Sequence, residues 1–189
     1  MSRALRYVLA VVSAIALAGP GLLASGVPSH VRVTEPRIEA LIASGVAESP
    51  TFRTIVDRLE SAPILVFVRC RTRAHQATSA AGLEFLTNTP SYRYVRVFIR
   101  CDLPTAVQAP LLAHELQHAL EVAEAPDVID PATLRAHYER IGYRSNADDR
   151  TPSFDTAAAI DVQRRVAAEL ARTSSTTMAK VEAIRHLWQ

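Results

Sequence analysis

The chain reads as an α+β protein, with a small three-stranded sheet packed against one motif-bearing helix and further helices. Three observations carry that reading. Ile64 to Cys70 is an apolar run with β-branched Ile64, Val66 and Val68, the pattern of a buried strand. Leu83 to Leu86 and Tyr92 to Arg100 flank Thr87-Asn88-Thr89-Pro90-Ser91, a turn sequence that makes a hairpin of the two runs. The segments on either side carry apolar residues at helical spacing, punctuated by proline, glycine and capping residues.

From the N-terminus, Arg3 and Arg6 precede an apolar stretch from Tyr7 to Leu17, and Ala16-Leu17-Ala18 offers a cleavage site, with Ala24-Ser25-Gly26 as a second. Gly19-Pro20-Gly21 breaks the apolar stretch before it reaches the length of a membrane span. The division expected is a signal peptide over 1–26 and one domain over 27–189, exported to the periplasm or secreted; an uncleaved N-terminal membrane anchor is the alternative. Of the 21 basic residues two, Arg3 and Arg6, lie in that leader, so its removal leaves 19 basic against 19 acidic residues. The domain then has no net basic charge to favour nucleic acid, and no stable membrane insertion is expected beyond the leader.

Val27 to Val33 reads as an extended linker. Glu35 to Ala43 and Pro50 to Ser61 read as amphipathic helices, the second with Ser49 as N-cap and Pro50 at its first position. After the Ile64–Cys70 strand, Arg71 to Ala81 is a loop of small and polar residues. In the last strand Tyr94, Arg96, Phe98 and Arg100 alternate with Val95, Val97 and Ile99, so one face is buried and the arginine face half exposed. Pro104 or Pro110 opens the next helix and Pro126 closes it. Pro131 to Ile141 is a helix between Asp130 as N-cap and Gly142 as stop. Asn146 to Pro152 is a polar loop. Asp155 to Arg172 is an amphipathic helix striped by Ala159, Val162, Val166 and Leu170, and the tail forms a last helix around Val181 to Leu187.

Cys70 and Cys101 end two runs of nearly the same pattern, Val66-Phe67-Val68-Arg69-Cys70 and Val97-Phe98-Ile99-Arg100-Cys101. If those strands are neighbours and run the same way, the thiols can meet as a disulfide; two free thiols in a small core are the alternative.

The most informative five residues are His114-Glu115-Leu116-Gln117-His118, which read H-E-x-x-H. Histidines four apart on a helix project from one face, roughly 40° apart, so two imidazoles can take neighbouring corners of a tetrahedral Zn²⁺. Glu115 stands beside them as a general base for an activated water. Chance yields such a match in roughly one chain in a hundred of this composition, as a histidine pair on a surface helix. Against that stands the rest of the helix: Leu112, Leu116, Ala119, Leu120 and Ala123 form a buried stripe opposite His114, His118 and Glu121.

A strand or hairpin followed by an H-E-x-x-H helix, with more helices downstream, resembles the catalytic core of the zincin metallopeptidases over roughly Ile64 to Arg172. No G-x-x-H follows His118, which sets the metzincin branch aside and leaves a likeness to the gluzincins, where a carboxylate on a later helix completes the metal shell. It is also similar to small exported bacterial H-E-x-x-H proteins of unassigned substrate. The resemblance implies that His114 and His118 bind Zn²⁺, that Glu115 takes a proton from a metal-bound water, and that the substrate is a peptide or protein. Asp155, in Phe154-Asp155-Thr156, stands where the gluzincin carboxylate would, although Asp is also a favoured N-cap and gluzincins use the longer Glu. Glu121 shares the histidine face but lies roughly 7 Å along the axis from their midpoint, which suits it better to accept an imidazole N–H than to bind the metal. His137 is a further alternative for the third ligand. Tyr138, Tyr143 and His137 are candidates for an oxyanion-stabilising group, each with a packing role as the alternative. His30, His75 and His186 fall outside any ligand spacing and are expected to be solvated, with Trp188 a packing anchor. Two functions follow from these residues: an exported zinc-dependent peptidase, or a non-catalytic exported binding module on the same scaffold.

Overall fold

The structure, a computed structural model, describes residues 30–71, 79–145 and 153–187. The segment read as a leader, the polar stretches 72–78 (with His75) and 146–152, Trp188 and the side chain of His186 lie outside the described residues.

The architecture is α+β, with a mixed four-stranded sheet, a separate two-stranded ladder and five helices among the described residues. In chain order the elements are β1 (Val31–Val33), α1 (Pro36–Glu48), α2 (Pro50–Ser61), β2 (Ile64–Arg71), β3 (Ala81–Asn88), β4 (Arg93–Arg100), α3 (Thr105–Ala123), α4 (Pro131–Ile141), β5 (Tyr143–Arg144), β6 (Phe154–Asp155) and α5 (Ala157–Leu187). The main sheet runs β1-β2-β4-β3. β1 and β4 lie parallel to β2, while β3 and β4 form the antiparallel hairpin that the turn sequence predicts. The sheet has four strands rather than three because Val31–Val33, at the end of the predicted linker, pairs with Val66–Val68. Three residues are too few to show a strand period.

The alternation on β4 places Val95, Val97 and Ile99 in the core and leaves Tyr94, Arg96, Phe98 and Arg100 partly exposed. Strands β2 and β4 are neighbours and run the same way, with Cys70 beside Ile99. Cys70 and Cys101 are therefore joined, their Cα atoms 5.6 Å apart.

Helix α1 runs on to Glu48, past the predicted end. Buried Gly45 packs against α2 there: a Cβ would sit 3.0 Å from the Phe52 ring, a tight contact that the absence of a side chain relieves. Ser49 caps α2 as predicted, accepting the Phe52 N–H at 3.0 Å. Its hydroxyl proton goes to Glu169 of α5. Glu169 also accepts the Thr51 N–H (3.1 Å) and hydroxyl (2.7 Å), so a distant carboxylate completes the N-terminus of α2. Partial burial pushes the Glu169 carboxyl up, but the hydrogen bonds from Ser49 and Thr51 outweigh it and hold the group below its ordinary range. A depressed carboxyl pKa gives stability that is present above the unfolded value, ~4.3, and is lost as pH falls through the folded value. Glu169→Gln should thus cost about 1 kcal/mol at pH 7, with the gap from wild type closing below about pH 4 in urea melts.

α3 is the central helix. Leu112, Leu116 and Leu120 are fully buried against the sheet and α2, as the stripe predicts. On the opposite side His114 and His118 are buried as well, and α5, Tyr138 of α4 and Asp155 of β6 pack there. Pro110 sits inside the helix, which starts at Thr105 after Pro104. α4 has the predicted ends, with Asp130 and Thr133 forming a reciprocal capping box. α5 is one helix of 31 residues, without the predicted break before Val181. No helix among the described residues is long and apolar enough to cross a membrane.

Candidate metal centre

His114 and His118 leave successive turns of α3, and their rings meet edge to face with centroids 4.7 Å apart. The two Nε2 atoms are 3.1 Å apart. Asp155 Oδ1 lies 3.0 Å from His114 Nε2. The three donor atoms fall within 4.8 Å of one another, so the His114–His118–Asp155 group could hold a metal ion. Nitrogen and oxygen ligands 2.0–2.1 Å from a shared tetrahedral centre stand roughly 3.3 Å apart, and the observed spacings are close to that. Two imidazole lone pairs cannot face each other at 3.1 Å unless a proton or a cation lies between them.

Asp155 reaches this position from a different element than the sequence suggests. It ends strand β6, paired with Tyr143, and α5 begins after it. The N-cap of α5 is Thr156, whose hydroxyl accepts the Ala159 N–H at 3.1 Å. Asp155 is thereby released from capping. Gly142, at the end of α4, permits the approach: a Cβ there would fall 2.5 Å from the Asp155 carbonyl oxygen.

Glu121 is not in the donor cluster. One of its oxygens faces His118 Nδ1 at 2.7 Å and the other accepts the Thr156 hydroxyl at 2.6 Å. This is the arrangement that orients a ligating imidazole, not that of a ligand. Tyr138 donates its hydroxyl to the His118 carbonyl at 3.0 Å, and its ring lies edge-on to His118 with centroids 5.2 Å apart. With its proton committed to α3, Tyr138 braces the ligand helix. His137 is buried, with Nδ1 beside Arg140 at 3.0 Å and Nε2 without a partner among the described residues; it is not part of the donor cluster. Tyr143 is 51% exposed on β5. His30 is half-buried, its Nδ1 bonded to the Leu59 carbonyl at 3.0 Å, so it is not the freely solvated residue expected.

The electrostatics of the group follow from its burial. Desolvation, then the charge of neighbouring His118, pushes His114 below its ordinary value, which favours the neutral imidazole that a metal needs. Desolvation also acts to lower His118, but the hydrogen bond to Glu121 and the carboxylates around it leave it raised. Glu115 is 6% exposed, and burial pushes its carboxyl up to about 7. A cation among these donors would favour the anions and shift each value down.

His114, Glu115, His118 and Asp155 line a cleft of about 630 Å³. Its walls are mixed: Leu83, Leu111, Leu134, Phe154 and Ile160 give apolar surface beside the polar Ser79, Arg135 and Ser153, and β3 borders it through Ala81–Leu83. Among the described residues β3 pairs only with β4 and is an edge strand of the sheet. No family model, curated protein or solved structure matches this chain.

Two residues at the site escape the sequence reading. Gln163 of α5 lines the cleft together with His114. Thr156 is legible as an N-cap, but no spacing rule connects it to a glutamate 35 positions earlier.

Proposed function

We propose that the protein is an exported zinc-dependent hydrolase of the peptidase kind, working on an extended peptide or protein chain. The observation that carries this reading is the convergence of His118 Nε2 and Asp155 Oδ1 on His114 Nε2, at 3.1 and 3.0 Å, with the Glu115 carboxyl in the same cleft. Two imidazoles and one carboxylate are a common catalytic zinc set, which leaves a position open for water or substrate. When bound, zinc supplies Lewis acidity toward a carbonyl oxygen and lowers the pKa of a coordinated water toward ~7.

The chain's own groups do the rest. Glu115, buried in the same cleft, can take a proton from water and return it to a departing amine. Glu121 holds His118 with Nδ1 protonated and Nε2 free. Tyr138 fixes the turn of α3 that carries His118. The edge strand β3 supplies backbone N–H and C=O groups to an extended chain, while the apolar parts of the walls accept its side chains. The Cys70–Cys101 disulfide suits an oxidising compartment, which supports export.

The test is zinc content of the domain from Val27, wild type beside His118→Ala. We expect about one equivalent in the wild type and none in the variant. His118 is 4% exposed, so the variant should also melt lower, contrary to what an open histidine face would allow. A wild-type chain that stays free of zinc when zinc is supplied would overturn the reading. A zinc-loaded chain that cuts no member of a diverse peptide library would leave the non-catalytic binding module in its place.

A further inference from the structure

We infer that Thr156 is a positioning residue of the metal centre: its hydroxyl anchors the carboxylate that sets the tautomer of His118. The inference rests on the metal-binding reading above and adds a residue to it. A threonine hydroxyl has one proton and two lone pairs. Here a lone pair accepts the Ala159 N–H at 3.1 Å, and the single proton goes to Glu121 Oε1 at 2.6 Å. Capping α5 accounts for the first bond and gives no reason for the second.

The second bond is short, charge-assisted and shielded, with Thr156 3% exposed and the Glu121 side chain 10% exposed. The other oxygen of Glu121 meets His118 Nδ1 at 2.7 Å. A carboxylate can only accept, so the proton sits on Nδ1 and the Nε2 lone pair is left pointing at His114 and Asp155. Without Thr156, Glu121 loses the bond to its Oε1 and keeps only the Tyr138 hydroxyl as a neighbour besides His118, so its carboxylate can rotate away from Nδ1. Consecutive residues thus serve the site in two ways. Asp155 supplies a donor atom, and Thr156 fixes the donor that α3 supplies. The start of α5 and the ligand face of α3 are locked together by the same pair.

Zinc affinity, measured by competition with a chromophoric chelator, tests this, with the visible spectrum of the cobalt(II)-substituted protein reporting coordination. Thr156→Val and Glu121→Gln should each weaken zinc roughly 10–100-fold and alter the cobalt spectrum. Thr156→Ser should bind as wild type. Because both residues act through one relay, the Thr156→Val/Glu121→Gln double variant should bind no more weakly than the weaker single. Should Thr156→Val fail to fold, Thr156→Gly replaces it, since glycine is nearly as good an N-cap yet has no hydroxyl. Wild-type affinity in the folded Thr156 variant, or losses that multiply in the double variant, would overturn the inference and leave Thr156 as a cap. A wild-type chain without zinc affinity would overturn the metal reading, and this inference with it.

Discussion

Glu115→Gln should lower peptide hydrolysis by at least about a hundredfold while leaving one zinc bound. The contrast separates two jobs that the motif places in five residues. His114 and His118 present Nε2 atoms to a common centre, whereas Glu115 is not in the donor cluster. Glutamine keeps the shape of the buried side chain and removes only its ability to take a proton. The loss should fall on kcat with KM little changed, because a proton transfer is realised in the transition state and not in substrate binding. The comparison needs a peptide that the wild type cuts, found by mass spectrometry of a digested peptide library. Full activity in Glu115→Gln would remove this residue as the base. Metal lost together with activity would mean that Glu115 holds the site together and does not act on water. The same loss at every substrate concentration, with zinc content unchanged, is the signature expected.

What was legible in the sequence was whatever depends on neighbours along the chain. The caps at Ser49 and Asp130, the hairpin turn and the alternation on β4 are all local patterns, and each lies where it was expected. The pairing of Cys70 with Cys101 was legible for a related reason: two runs with one pattern become adjacent parallel strands, and their ends then meet. Where the reading fell short, the deciding contact is distant in sequence. β1 is a strand only because β2 is there to pair with it. The histidine face of α3 is buried where α5, Tyr138 and Asp155 pack, which no periodicity within α3 can report. Asp155 illustrates both sides. Its candidacy as the third donor came from its place downstream of the motif. Its release from capping required Thr156 to take that role and Gly142 to admit its backbone. Glu121 stands 2.7 Å from His118 Nδ1, a contact that helix geometry makes available because i,i+3 neighbours share a face.

The largest stability effect expected away from the metal is loss of the Cys70–Cys101 disulfide. The bridge closes a loop of 31 residues, from the end of β2 through the whole β3–β4 hairpin to the turn before α3. On the chain-entropy account, a loop of that length is worth roughly 3–4 kcal/mol through its restriction of the unfolded state. For a domain of this size that corresponds to a fall of roughly 6–16 °C in Tm for Cys70→Ala/Cys101→Ala or for the reduced protein. The consequence reaches the site by a definite route. The loop contains β3, whose residues Ala81–Leu83 border the cleft, and Cys101 precedes the helix that carries both histidines. Yet neither cysteine touches the donor cluster, and buried Val95, Val97 and Ile99 still dock β4 onto the core without it. Zinc affinity should therefore survive reduction within a few-fold while the melting temperature drops. A Tm unchanged on reduction would mean that the strand pairing of β2 with β4 already confines the loop in the unfolded ensemble. A parallel loss of zinc would instead show that the bridge holds α3 in register with Asp155, making the oxidising compartment a condition for the site itself.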